Sequence, residues 1–188
     1  FWARVQPAVS QFARVCVYDR AGLGWSEPSP HERTSPTMVR ELHTLLERAG
    51  NPGPYVLVGH SLGGLNVRLF AQQYPGETAG LVLVDAAHEE QDLRLPSFRT
   101  AVAQAGGQFR TLDRLSALGL LAFAPGQIPG RDLPEPAATQ YRALLASTSS
   151  FGAAAEETEA LERSLAEARA AGPGELGPFP IVVLSRGL

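Results

Sequence analysis

The stretch PYVLVGHSLGGLNVRLFAQQYP, residues 54–75, decides the fold. It begins with an unbroken apolar run at 55–58, which is typical of a central strand in a parallel sheet. A helical pattern follows from about residue 62 to residue 74, and Pro75-Gly76 ends it. Only GHSLGG lies between the two, so the sequence predicts a strand, a tight turn around Ser61 and a helix.

The turn has the G-x-S-x-G pattern, which between a strand and a helix presents a serine above the edge of a sheet. Its tightness predicts a positive φ at Ser61. Gly59 and Gly63 would let the strand and the helix approach each other closely, and Gly64 would extend that clearance. The backbone N–H of Leu62 would point at an oxyanion formed on an acyl group bonded to Ser61. The motif therefore predicts Ser61 as a catalytic nucleophile and Leu62 as a backbone oxyanion donor.

Apolar runs and helical patterns alternate along the chain, which favours βαβ units and a parallel sheet. The further predicted elements are strands at 15–18, 81–84 and 181–184, a helix-like segment at 2–12, and a helix capped by Ser35 and ended by Gly50. The segment between the last two strands is helical in pattern and too long for a loop. We therefore expect an α/β core of residues 1–85 and 173–188 with a helical cap at 86–172. A separate helical domain is the alternative.

Four stretches together resemble one family. They are VYDRAGLGWSEP at 17–28, residues 54–75, GLVLVD at 80–85 and PFPIVVLSRG at 178–187. The chain is similar to the α/β-hydrolase superfamily, in its esterase-like branch with a helical cap before the seventh strand. The resemblance implies a partial α/β-hydrolase fold in which 55–58, 81–84 and 181–185 pair in that order. The family's third strand would lie between residues 13–18 and 55–58, so these two runs should not be hydrogen-bonded neighbours.

The resemblance also implies that this chain carries only part of the catalytic machinery. In the family the second oxyanion donor would precede Phe1, and the usual acid and the histidine would follow Leu188. We therefore expect one triad member, Ser61, and little activity from residues 1–188 alone. A minority of the family places the acid where Asp85 stands, although Asp85 equally suits a residue that bonds the turn after its strand.

The other candidate side chains are given mainly structural roles. Of the histidines, His88 could approach the site, His60 is expected to pack beside the turn, and His31 and His43 are expected to be solvated. Asp19 and Arg20 are predicted to hold their loop through hydrogen bonds. Cys16, centred in a predicted strand, is expected to be a buried small hydrophobe. In the cap, Leu120, Leu121 and Phe123 suggest an apolar pocket wall and could equally be core.

Composition excludes several classes of protein. The 188 residues carry 16 basic and 19 acidic side chains, a net charge of -3, which argues against a nucleic-acid surface. Every basic residue is arginine, and without lysine neither a phosphate-binding P-loop nor Schiff-base chemistry is available. One cysteine rules out an internal disulfide and a multi-cysteine metal site. Gly22-Leu23-Gly24 lacks the third glycine of a dinucleotide fingerprint. No apolar run reaches the ~20 residues of a membrane-spanning helix.

These observations predict a serine hydrolase that acts on a small acyl substrate such as a carboxylic ester, with no cofactor and no metal. A serine at the turn argues against dehalogenase and epoxide-hydrolase chemistry, which use an aspartate there. The alternative is a small-ligand receptor on the same fold, with slow turnover or none. Because Met38 is the only methionine, we interpret the chain as an internal piece of a longer protein. Its localisation is cytoplasmic by default unless a signal or anchor precedes it, and its substrate and oligomeric state stay open.

Overall fold

The computed structural model describes residues 2–123, 133–145, 150–172 and 176–185. The chain divides into two compact units, Phe1–Pro30 with Gln104–Glu156 and His31–Ala103 with Glu157–Leu188. The second unit contains the sheet and the Ser61 turn. The predicted cap at 86–172 and core at 173–188 include residues outside the described ranges, and their proposed boundaries stay a prediction.

Three parallel strands form the sheet of the second unit: β1 (Tyr55–His60), β2 (Thr78–Val84) and β3 (Ile181–Leu184). β2 lies between the other two. Leu57 of β1 pairs with Leu81 of β2, which pairs with Ile181 of β3. The predicted order of these three strands is therefore confirmed.

Helices occupy most of the remaining described chain, and the described residues between β2 and β3 contain helices and no strand. In chain order they are α1 (Val5–Val9), α2 (Ser35–Arg48), α3 (Leu62–Gln73), α4 (Gln91–Arg94), α5 (Phe98–Ala117), α6 (Ala137–Leu145), α7 (Ser150–Glu159) and α8 (Leu161–Ala170). The predicted α3 is confirmed. The segment predicted at 2–12 is shorter, a 3-10 turn followed by α1.

Helix α3 is the centre of the second unit because two of its faces are buried. Leu65, Leu69 and Phe70 pack with Val39 and Leu42 of α2 and with Leu165 and Ala168 of α8. Val67 and Ala71 pack on Leu81 and Leu83 of β2. Each such fully buried aliphatic or aromatic side chain contributes about 1.5–3 kcal/mol relative to its exposed state. The helix that follows Ser61 is thus fixed against both the sheet and its helical neighbours.

Asp19 organises its loop in the first unit, as predicted. Its carboxylate accepts a hydrogen bond from the Trp25 backbone N–H at 3.2 Å, and its carbonyl accepts one from the Ser26 hydroxyl at 2.7 Å. Gly24 has a φ of +57°, and a Cβ there would lie 2.7 Å from Asp19 Oδ1. The turn therefore needs a glycine at position 24.

The strand predicted at 15–18 was wrong. Residues 14–20 have no regular secondary structure, and Cys16 is exposed rather than buried. A strand is stable only when its N–H and C=O groups pair with a neighbour, and no described strand pairs with this run. Its apolar composition alone therefore misled the prediction. The place of the family's third strand, expected between residues 13–18 and β1, stays a prediction.

Two smaller expectations also need correction. The N-cap residue of α2 is Thr34, and Ser35 is its first helical residue. The Ser35 N–H donates to the Ser164 hydroxyl at 2.9 Å. β1 was expected to be buried on both faces, but Val56 is 64% and Val58 is 47% exposed. Among the described strands, β1 is paired on one side only, by β2.

Candidate active site

Ser61 lies at the junction between β1 and α3, which supports the predicted tight turn. Its φ is +51° and its ψ is -123°, so the predicted positive φ is confirmed. The Ser61 N–H donates to the Val84 carbonyl at 3.1 Å, and the Ser61 carbonyl accepts from the Ala87 N–H at 2.9 Å. These bonds tie both sides of the turn to the chain around the end of β2. A non-glycine residue in this backbone region is costly, so the surrounding structure has to hold it there.

The glycines around Ser61 have different roles from those predicted. A Cβ on Gly59 would lie 2.6 Å from the Gly64 nitrogen, and one on Gly64 would lie 3.0 Å from Ala86 Cα. A Cβ on Gly63 would meet nothing within 4 Å. The close approach therefore requires Gly59 and Gly64, whereas the expectation that Gly63 provides clearance was wrong.

Leu62 is the first residue of α3, so its backbone N–H has no acceptor within the helix. The positive end of the helix dipole adds to the attraction of this N–H for negative charge. Among the residues that the structure describes, none hydrogen-bonds to the Ser61 hydroxyl. The Leu62 N–H and the Ser61 hydroxyl therefore belong to adjacent residues at the start of α3.

A pocket of about 520 Å³ opens beside the Ser61 turn. Its wall is the segment after β2, which we call the 85–95 wall, and its lining residues are Ser61, Asp85, Ala86, Ala87, His88, Gln91, Arg94 and Leu95. Five of these eight side chains are polar or charged, so this part of the pocket is more polar than expected. The predicted apolar wall of Leu120, Leu121 and Phe123 stays a prediction, since the Phe123 side chain lies outside the described part of the chain.

Asp85 and Ser61 share an unusual backbone property. Asp85 has a φ of +43°, and these two are the described non-glycine residues with positive φ. The Asp85 N–H donates to the Leu184 carbonyl at 2.7 Å, which fixes it at the end of the sheet. Both residues line the pocket. Asp85 thus faces the same space as Ser61, whether it bonds the turn or acts as an acid.

His88 lines the pocket but is not arranged as a base for Ser61. Its Nδ1 accepts the Glu90 backbone N–H at 3.1 Å, so in the neutral ring the proton lies on Nε2. Nε2 is 3.8 Å from a Glu89 carboxylate oxygen. A neutral His88 in this conformation has no ring nitrogen left to accept the serine proton.

Two bidentate ion pairs join the 85–95 wall to neighbouring helices, and sequence reasoning missed both. Arg68 of α3 forms two hydrogen bonds with Glu89, at 2.6 and 3.0 Å. The hydrogen bonds from Arg68 lower the pKa of Glu89 to about 2, against the opposing effect of burial. Arg169 of α8 forms two hydrogen bonds with Asp92, at 2.6 and 3.3 Å. Burial raises the pKa of Asp92, but hydrogen bonds and charge from Arg169 outweigh it, so that this pKa is lowered.

The remaining histidines lie outside the pocket lining. His31 is exposed, as expected. His43 was expected to be solvated, but it stacks on Tyr74 with 3.8 Å between ring centroids, and its Nε2 lies 3.0 Å from Glu77 Oε1. Helical spacing alone placed it on a polar face and gave no sign of this aromatic neighbour. His60, the last residue of β1, is half-buried.

The described residues contain no group of three or more His, Cys, Asp or Glu side chains that could hold a metal ion. Within the same ranges, no helix has both the length and the apolar composition to cross a membrane.

Two curated proteins are similar to part of this chain. A protein of Schizosaccharomyces pombe is 40% identical over 82 residues, 44% of this chain and 15% of its own length. An AB hydrolase superfamily protein of Gibberella zeae is 33% identical over 94 residues, 48% of this chain and 29% of its own length. The chain thus spans well under half of these curated relatives.

Solved structures match over more of the chain. The epoxide hydrolase CorEH has a TM-score of 0.69 at 19% identity, covering 98% of this chain and 69% of that one. Cfl2 from Burkholderia cenocepacia has a TM-score of 0.61 at 18% identity, covering 98% and 75%. At such identities the likeness shows the fold alone. A family model for the alpha/beta hydrolase fold matches residues 1–166. The chain therefore belongs to the α/β-hydrolase fold family.

Proposed function

We propose that the protein is a serine hydrolase of carboxylic esters or related acyl compounds, with Ser61 as its nucleophile. The observation that carries the proposal is the backbone of Ser61, which has a φ of +51° at a strand–helix junction beside a pocket. Strain of this kind persists where function requires a side chain to be presented in one direction.

The proposed reaction has two steps. The Ser61 oxygen bonds to the acyl carbon of the ester, its proton passes to a base, and the negative charge on the carbonyl oxygen is stabilised by the Leu62 N–H. The ester bond then breaks and the alcohol leaves with that proton. Water attacks the acyl-enzyme in the same way, which releases the carboxylic acid and restores the serine hydroxyl.

The reaction also needs a base for the serine proton and an acid that orients this base. Because the neutral His88 ring has no acceptor nitrogen left, a further histidine is expected, as the resemblance to the family implies. Asp85 is the described carboxylate in the pocket and is one candidate for the acid that orients this histidine. The usual family position beyond Leu188 is the other.

Turnover of p-nitrophenyl esters by the full-length protein tests the proposal. Ser61→Ala should reduce kcat to the background rate, because none of the other residues that line this pocket carries a hydroxyl or a thiol. Ser10→Ala is the matched control, since this exposed hydroxyl bonds only the Pro7 carbonyl and should leave the rate unchanged. Retained turnover in Ser61→Ala would refute the nucleophile. Tight binding of small acyl ligands without turnover in the wild type would instead favour a receptor.

A further inference from the structure

The 85–95 wall has little regular structure to fix its position. Among its residues only the four of α4, Gln91–Arg94, are helical, and none belongs to a strand. It nevertheless supplies all the pocket-lining residues other than Ser61. Backbone hydrogen bonds from Asp85 and Ala87 hold its beginning. The position of the rest depends on side-chain contacts that reach it from the more rigid elements.

Two such elements, helices α3 and α8, contact the wall at Glu89. The Glu89 carboxylate accepts two hydrogen bonds from Arg68. Arg68 belongs to α3, the helix that begins at Leu62. The Glu89 backbone carbonyl accepts a hydrogen bond from Arg169 of α8. The side chains of Arg68 and Glu89 are only 15% and 13% exposed, so water screens this pair weakly. A planar guanidinium that donates twice to one carboxylate fixes orientation as well as distance.

The residues just before Glu89 line the pocket or contact the serine turn. His88 precedes it and lines the pocket, and its backbone N–H lies 3.4 Å from the Gln91 side-chain oxygen. Ala87, two residues before Glu89, donates its N–H to the Ser61 carbonyl. A shift of Glu89 would therefore be transmitted to the wall and to the serine turn together.

We propose that Arg68 is a positioning residue of the Ser61 site, which sets the 85–95 wall relative to the serine through Glu89. This inference rests on the proposed function, because it assigns Arg68 a role in the same site. Arg68 does not line the pocket and acts only through Glu89. Misplacement of reacting groups by about 1 Å costs up to a hundredfold in rate, so the effect of losing the paired geometry should be measurable.

The test compares Arg68→Lys and Glu89→Gln with Arg163→Lys in the full-length protein. Arg163, on α8, forms short ion pairs with Glu32 and Glu167 but is exposed and does not line the pocket. Lysine keeps the charge at either position and removes the paired geometry. Each variant is assayed where circular dichroism shows it fully folded, for kcat, KM and the rate of Ser61 phosphonylation by a fluorophosphonate.

Arg68→Lys and Glu89→Gln should each lower kcat and the phosphonylation rate about tenfold to a hundredfold, with Arg163→Lys unchanged. If Arg68→Lys does not fold, Glu89→Gln decides the outcome alone. Unchanged rates in the folded variants would overturn the positioning role. Retained labelling in Ser61→Ala would instead overturn the proposed function, so the two failures are distinguishable.

A pH profile separates positioning from a purely structural role. Three charged or titratable groups face Glu89: Arg68 from α3, Arg169 from α8 and His88 beside it. In the wild type the carboxylate stays ionised far below pH 4.5, because its pKa is about 2. In Arg68→Lys the charge remains but the two parallel hydrogen bonds are lost, so this pKa should rise and the remaining ion pair should break as Glu89 takes up a proton. Phosphonylation in Arg68→Lys should therefore show an additional loss as the pH falls through 5 to 4, and a wild-type-shaped profile would contradict the proposal.

Discussion

Adjacent glycines on α3 should respond to alanine in opposite directions. At Gly64 a Cβ would lie 3.0 Å from Ala86 Cα and even nearer to its Cβ, and the backbone after β2 cannot move away cheaply. Overpacking of this kind costs about 1–3 kcal/mol, and replacing glycine recovers only about 0.4–1 kcal/mol of it. Gly64→Ala should therefore lower the free energy of unfolding by about 1–2 kcal/mol.

At Gly63 the same substitution meets open space. Gly63→Ala should raise the free energy of unfolding by about 0.4–1 kcal/mol, because alanine has less freedom to lose in a helix. Urea denaturation of both variants beside the wild type measures the difference, with the thermal midpoint as a second readout. If Gly64→Ala were as stable as Gly63→Ala, the close approach of α3 to Ala86, and with it our account of the turn, would be wrong.

Three further predictions concern charge and exposure. The pKa of Glu89 is about 2 instead of 4.5. Its ionised form therefore contributes about 2–3 kcal/mol to the free energy of unfolding, and this contribution is fully present above pH 4.5 and is lost as the pH falls towards 2. Urea denaturation from pH 2.5 to 7 should show a lower stability for Glu89→Gln at pH 7 and a smaller decline in acid. Asp92→Asn should cost about 1.5–3 kcal/mol in thermal unfolding, since it removes the charge that Arg169 pairs with; a loss below 1 kcal/mol would contradict this. Cys16, being exposed, should react with a disulfide reagent without denaturant, whereas a buried thiol would react only on unfolding.

Elements encoded by short-range patterns could be predicted from the sequence. The strand at 55–58, the turn at Ser61 and helix α3 follow from residues that are neighbours along the chain, and the structure has all three. The positive φ of Ser61 was predictable because a strand and a helix joined by so short a turn require an unusual backbone conformation at the serine. Asp19 was predictable for the same reason, since its bonds reach only to Trp25 and Ser26.

Features that depend on distant partners were not predictable. Residues 15–18 have the composition of a strand, but a ladder needs a neighbour that composition does not specify. Arg68 and Glu89 are separated by 21 residues, and Arg169 and Asp92 by 77, with no spacing rule to connect either pair. The polar wall of the pocket depends on these pairs and was therefore missed with them.

The adjacent glycines show that a sequence motif does not tell which of two neighbouring residues makes a contact. The motif requires small residues near the serine, but only the structure tells that position 64 faces Ala86 and that position 63 faces open space. Consecutive helical residues point about 100° apart, so a contact made by one is absent from the next.

Covalent labelling tests the central claim, that Ser61 is a nucleophile, most directly. The full-length protein is incubated with a fluorophosphonate, which forms a bond from phosphorus to the serine oxygen and releases fluoride, and the modified peptide is located by mass spectrometry. We predict one adduct, on Ser61, that is absent from Ser61→Ala and unchanged in Ser10→Ala. An adduct on another residue, or no adduct on a protein that still hydrolyses esters, would contradict the account.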